Sequence, residues 1–261
     1  MGEAEMREVA VGDARVPYRV LGAGRPLVLV HGGGAGARAW DGVAEAFATT
    51  NLVVLPNLSG SDPARDDGGE LTVELLAEQL AAVVADLGVG QVDLVGHSLG
   101  AVVSAVLAAL RPELVRTLVP VAGFAGPGDE YLRNSLTVWR DLLGDPDTFA
   151  RYSMLLAFSR THLRSIGHVA VEELAVRFQS TPDRRRQIEL ALRLDIRALL
   201  PRVQAPTLVI GAAQDGFLPV ENARELAAAI PGAVYEEIDT GHVVMVERPR
   251  EFVKLVSDFI A

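Results

Sequence analysis

Cysteine is absent from the 261 residues. That excludes disulfides and thiolate metal sites and fits a reducing compartment. Long apolar runs are missing as well. Charge or glycine breaks each apolar stretch well short of the roughly 20 residues that cross a bilayer. Met1–Ala10 carries acidic residues, and no apolar run follows a basic start, so it does not read as a secretory signal. There is no basic block. Lys and Arg number 24 against 34 Asp and Glu, a formal net charge of −10. So acidic a chain suits neither nucleic acid nor an anionic membrane. Neither an internal repeat nor a low-complexity tract stands out. These absences lead us to expect a cytoplasmic protein, monomer or homodimer, whose partner is a small-molecule substrate.

What is present is a large apolar fraction, 49%, enough for one substantial core. A globular chain of this size buries roughly three quarters of the surface its unfolded form exposes. Met6–Val11 and Arg15–Leu21 flank Gly12-Asp13 and read as a hairpin. Leu27–Val30, Leu52–Leu55 and Val92–Val95 are short apolar runs of buried-strand type, and Leu114–Val121 is a further strand. Thr72–Leu87 and Ala101–Leu110 have helical spacing. Strands alternating with helices predict parallel β-α-β units in a doubly wound sheet.

The rhythm changes after Gly123. Helical spacing covers Tyr131–Leu143, Asp147–Phe158, Val171–Gln179 and Asp183–Leu199, with Thr181-Pro182-Asp183 as a helix start. After Pro206 the alternation returns: Thr207–Ile210, Val220–Ile230, Val234–Ile238 and Glu251–Ile260. We therefore expect a core of residues 1–124 and 201–261 and a helical cap of residues 125–200. An insertion at a strand's carboxyl end overlies the ligand crevice of such sheets.

Gly96-His97-Ser98-Leu99-Gly100 matches Gly-x-Ser-x-Gly. This pattern lifts a serine onto a sharp strand-to-helix corner, where β-carbons on the flanking positions would clash. The helix that follows adds free N–H groups and a partial positive charge. His31-Gly32-Gly33-Gly34 follows the third strand. A tetrahedral oxyanion needs two preorganised N–H donors. Leu99 and Gly33 are the expected ones. A serine hydroxyl also needs a base, and the base needs a carboxylate to fix its tautomer. Asp215 and His242, each just after a late strand, are the candidates. Asp239 lies close to His242 but reads as a strand-end residue, His97 points away from the corner, and His162 and His168 fall in the insertion. No carboxylate follows the sixth strand before Asp129.

Together these residues resemble the α/β-hydrolase superfamily over essentially the whole chain, and the order Ser98, Asp215, His242 is the one that fold uses. The stretch Ala205-Pro206-Thr207-Leu208-Val209-Ile210-Gly211, with Asp215 and Pro219 after it, is similar to capped esterases and lactonases such as the 3-oxoadipate enol-lactonases. The resemblance implies a mostly parallel eight-stranded sheet flanked by helices, a four-helix cap after the sixth strand, and hydrolysis with no cofactor. Many such proteins carry Asp-x-x-Gly-x-Gly after the fourth strand. Here Asn57 stands for the acid and Asp62 for the second glycine.

For the substrate pocket, His31, Phe124, Trp139, Met154 and Phe158 are candidates. Met and aromatics at helical spacing also suit a core. Arg151, Arg160 and Arg164 could meet a carboxylate or simply form a solvated face. The expected activity is cleavage of an ester or lactone of a small to medium, partly hydrophobic substrate. The same residues serve C–C bond or thioester hydrolysis, acyl transfer, perhydrolysis and lyase chemistry, and a ligand-binding protein of slowed activity is the rival outside catalysis.

Overall fold

The computed structural model describes residues 4–34, 36–178 and 180–261. Gln179, the expected end of one inserted helix, and the first three residues of Met1–Ala10 lie outside the described residues. Among the described residues, eight strands form one sheet: β1 (Glu5–Val11), β2 (Ala14–Gly22), β3 (Arg25–Val30), β4 (Asn51–Pro56), β5 (Val92–His97), β6 (Val115–Val121), β7 (Leu208–Ala212) and β8 (Val234–Ile238). Their spatial order is β1-β2-β4-β3-β5-β6-β7-β8. β1 and β2 make the hairpin expected at Gly12-Asp13, with Val11 opposite Ala14. β2 also runs antiparallel to β4, and the later pairings are parallel.

The helices packed on this sheet are α1 (Ala44–Ala48), α2 (Val73–Asp86) and α3 (Leu99–Leu110). Among the described residues, four inserted helices follow β6: α4 (Glu130–Asp141), α5 (Pro146–Ala157), α6 (Arg160–Ala175) and α7 (Pro182–Arg193). The chain then adds α8 (Val220–Ala229), α9 (Val244–Glu247) and α10 (Pro249–Ile260). From Leu27 to Val30, β3 is continuously apolar because both its faces are covered there. Val28 and Val30 join Leu94 and the helices α2 and α3 in one cluster. Leu27 and Leu29 join Val53, Leu55, Val95, Trp40, Phe47 of α1 and Phe252 of α10 in the other. Each large aliphatic side chain buried in this way stabilises the fold by about 1.5–3 kcal/mol. α2 starts where Thr72 Oγ1 accepts the Leu75 N–H at 3.1 Å, a cap worth ~1 kcal/mol.

Two inserted helices differ from their expected spans. α6 runs from Arg160 to Ala175 rather than over 171–179, with Gly167 non-helical inside it at φ 78°. Its first half is polar and its apolar period breaks at that kink, so only the second half stands out in the sequence. α7 ends at Arg193 rather than at Leu199. Leu194 turns extended, and the Ile196 N–H donates to the Ala125 carbonyl at 2.8 Å. That tertiary bond joins the chain's exit from the insertion to its entry, and it outcompetes further helical propagation.

Candidate active site

The loops after β3, β5, β7 and β8 meet the inserted helices around a cavity of about 890 Å³. Ser98 sits between the end of β5 and the start of α3 with φ 55° and ψ −119°. A non-glycine residue held there stores about 1–3 kcal/mol of strain. The surroundings enforce it. The Ser98 N–H donates to the Val121 carbonyl at 2.9 Å. A β-carbon on Gly96 would lie 2.3 Å from the Gly100 carbonyl oxygen, and one on Gly100 would lie 2.3 Å from that of Val30. Both motif glycines are therefore steric requirements of the corner. The half-buried Ser98 lines the cavity.

His242 and Asp215 are brought together. His242 Nδ1 donates to Asp215 Oδ2 at 2.7 Å, while Asp215 Oδ1 accepts the N–H groups of Phe217 and Leu218, each at 2.8 Å. With Nδ1–H engaged, Nε2 of a neutral His242 is left as an acceptor. Among the described residues no hydrogen bond joins Ser98 Oγ to His242. The two residues line the same cavity and are linked through His97, whose Nε2 donates to the His242 carbonyl at 2.9 Å. Burial, with the neighbouring His242 adding to it, pushes the pKa of His97 down to about 3. That keeps His97 neutral and unsuited to act as a base near pH 7.

The glycine loop after β3 lies against the nucleophile candidate. A β-carbon on Gly32 would come 2.9 Å from Ser98 Cβ. Gly33 and Leu99 both line the cavity beside Ser98. Leu99 is the first residue of α3, where N–H groups lack an intrahelical acceptor. His31 is buried behind this loop and is no part of the cavity wall. Its Nδ1 donates to the Gly32 carbonyl at 2.7 Å and its Nε2 accepts the Leu58 N–H at 3.1 Å. Desolvation lowers its pKa. Asn57 supplies an acceptor to the same region through Oδ1, which takes the Ala37 N–H at 2.9 Å. The acid-to-amide exchange therefore keeps an acceptor facing the β3 loop. Asp62 lines the cavity.

Of the aromatic pocket candidates, Phe124, Trp139 and Phe158 line the cavity. Met154 does not; it is buried in the large core cluster, as helical spacing allows. The exposed Asp239 accepts from Gln214 Nε2 at 2.6 Å, and Arg151 is paired with Glu172. Sequence reasoning missed Phe217, Arg184 and Gln187, all in the cavity wall. The Phe217 ring centroid lies 5.2 Å from that of His242 and 4.7 Å from that of Trp139. Its position two residues after Asp215 was the one available signal.

The end of α5 binds both late loops. Its Leu156 carbonyl accepts the Gly216 N–H at 3.2 Å, and its Ala157 carbonyl accepts the Val243 N–H at 3.3 Å. Two carbonyls that the helix end leaves free are satisfied in this way. Ser159, one residue after the helix's C-cap, donates its N–H and its hydroxyl to the Glu247 carboxylate at 2.7 and 2.6 Å. The loops carrying Asp215 and His242 are thus held from above by one helix terminus.

The α/β hydrolase fold model matches residues 25–249 of the chain. The protein belongs to the α/β-hydrolase family. It is 36% identical to the pyrrolizixenacetamide deacetylase of Xenorhabdus hominickii, over 98% of each chain. Among solved structures, an enol-lactonase from Burkholderia xenovorans LB400 superposes with a TM-score of 0.87 at 22% identity, covering 97% of this chain and 99% of that one. Rv0554 from Mycobacterium tuberculosis superposes with a TM-score of 0.84 at 28% identity, covering 94% and 93%. This α/β-hydrolase is an enzyme of the hydrolase class. Among its described residues no helix is long and apolar enough to cross a membrane.

Proposed function

We propose that the chain cleaves a carboxylic ester or lactone of small to medium, partly hydrophobic character through an acyl-enzyme on Ser98. The observation that carries this reading is the pairing of a strained serine with a histidine in one cavity, the Nδ1 proton of that histidine already taken by Asp215. His242 Nε2 then takes the Ser98 proton as Oγ bonds to the carbonyl carbon. The N–H groups of Leu99 and Gly33 meet the oxyanion. The alcohol departs with the proton from His242, and water repeats the sequence to release the acid. Residues 125–200 act as the cap over this chemistry, and the cavity volume suits a metabolite-sized ligand.

A second reading, hydrolysis of a small amide, is favoured by the 36% identity to a protein named as a deacetylase. The two are separated by turnover of matched acyl esters, lactones, thioesters and acetamides, with Ser98→Ala protein as the blank. A fluorophosphonate probe is expected to add once to the wild type and not at all to Ser98→Ala, as read by intact mass. Labelling at another serine removes the assignment, and turnover by Ser98→Ala equal to that of wild type removes the acyl-enzyme.

A further inference from the structure

Arg184 is one of three consecutive arginines in the first turns of α7. Arg186 is bound to Asp66 at 2.9 Å and to Asp183 at 2.8 Å, and Arg185 is paired with Glu189 at 3.9 Å. Arg184 alone of the three turns inward. It is 9% exposed and lines the cavity. Among the described residues its Nε has no hydrogen-bond partner and no carboxylate lies within ion-pairing distance of it. Its guanidinium carbon lies 5.6 Å from the centroid of Trp139, whose ring is fixed by an Nε1–H bond to Ser153 Oγ at 2.7 Å. Burial pushes its pKa down to about 10, so the group stays cationic at neutral pH. A desolvated cation without a counter-ion is costly, and a helix N-terminus makes it costlier.

The loop beneath is shaped around this side chain. A β-carbon on Gly34 would fall 1.9 Å from Arg184 Nη1. Gly32, two residues earlier, is the glycine that abuts Ser98. Two residues span at most ~7 Å of chain, so one short loop touches both the cation and the nucleophile candidate. Of the other charged wall residues, Asp41 is held by Arg19, Asp62 is not within ion-pairing distance of Arg184, and Arg38 and Arg177 are of like sign.

We infer that Arg184 is a specificity-determining residue that binds a carboxylate of the substrate, a short chain away from the scissile carbonyl. The planar fork of a guanidinium matches a carboxylate in two parallel hydrogen bonds, and the apolar, stacked surroundings strengthen them. The substrate class is then an ester, lactone or amide that carries a free acid group, not a neutral lipid-like ester. Only the position of the scissile carbonyl relative to the anion rests on the reading of Ser98 given above.

The test uses 4-nitrophenyl monoesters of succinic, glutaric and adipic acids, each beside the neutral alkanoate ester of equal chain length. For wild type, kcat/KM is expected to favour the acid-bearing ester of at least one length by about tenfold or more, as a charged hydrogen-bonded pair provides. In Arg184→Met that ratio should fall by about tenfold, mainly through KM, and Arg184→Lys should retain part of it. A ratio that is the same in wild type and Arg184→Met overturns the inference, as does a wild type with no preference at any length. Titration calorimetry of glutarate and glutaramide into Ser98→Ala protein reads the anion site without turnover. Glutarate should bind, and the added Arg184→Met change should abolish binding. Glutarate binding without esterase activity would sink the hydrolytic reading alone, whereas activity without charge preference would sink the role of Arg184 alone.

Discussion

His97 Nε2 donates to the main-chain carbonyl of His242 at 2.9 Å, so the residue before the nucleophile candidate holds the backbone of the base candidate. The bond needs only the neutral imidazole. His97 is buried with its pKa lowered to about 3, and His31, also buried, is lowered too.

Acid stability follows from this. Unfolding returns each imidazole to its ordinary pKa near 6.5. Between that value and the folded one, the unfolded chain binds more protons, so stability is fully present above about pH 6.5 and falls as the pH drops. Each histidine adds a slope of about 1.4 kcal/mol per pH unit. Urea midpoints measured from pH 7 to 5 should show this decline. His97→Gln, which keeps a donor to the His242 carbonyl, should remove about one proton from the slope. An unchanged slope would mean that His97 is charged or exposed.

Asp215→Asn should preserve the bonds from Phe217 and Leu218 but present an N–H donor to His242 Nδ1. The imidazole then carries its proton on Nε2, where it cannot accept one from Ser98. Loss of turnover on the order of 10⁴ is expected, by analogy with the same exchange in a serine protease. Asp239→Asn is the control, because its exposed carboxylate meets only Gln214 among the described side chains. Steady-state kinetics on the best ester, with circular dichroism for folding, compares the two. A crippled Asp239→Asn beside a healthy Asp215→Asn would reverse the assignment.

Glu247→Ala should loosen α5 from the late loops. It removes two bonds from Ser159 to a carboxylate. Such bonds reach about 1.5–3 kcal/mol each when buried, but Glu247 is only half-buried, so a total of about 1–3 kcal/mol is expected. Hydrogen exchange should speed up at Gly216 and Val243, whose N–H groups bond to α5. Unaltered exchange there would mean that the clamp does not depend on Glu247.

Exhaustive chelation should leave turnover intact, since the proposed steps use side chains and backbone donors alone. Activity lost to EDTA and restored by one particular ion would contradict them.

The parts legible in the sequence are those where local geometry dictates residue type. Gly96 and Gly100 mark the corner because no β-carbon fits there, and the alternation of strands with helices exposes the sheet. Asp215 follows the plain apolar run of β7, and His242 follows the short mixed strand β8 at the end of Thr240-Gly241-His242. Arg184 was not legible. In one dimension it is a member of a charged run, and only the packing of α7 on the glycine loop separates it from its neighbours. Met154 shows the reverse failure: its spacing on α5 suits a core more often than a pocket, and tertiary packing puts it in the core. The polar start of α6 and the early stop of α7 depend on a kink at Gly167 and on the bond from Ile196 to Ala125, which no periodicity records.

The hydrogen bonds at the end of α5 also divide the inserted helices into parts of unequal exchangeability. A chimera that imports α6 and α7 from a relative replaces Arg184 and its part of the cavity wall while leaving the supports of Gly216 and Val243 in place. A crossover placed anywhere in Leu155–Ser159 instead cuts the carbonyls and hydroxyl that hold the loops of Asp215 and His242. A graft meant to exchange the cavity wall is therefore best joined after Ser159, and the loops of Asp215 and His242 keep their supports only if the last turn of α5 stays with its own sheet.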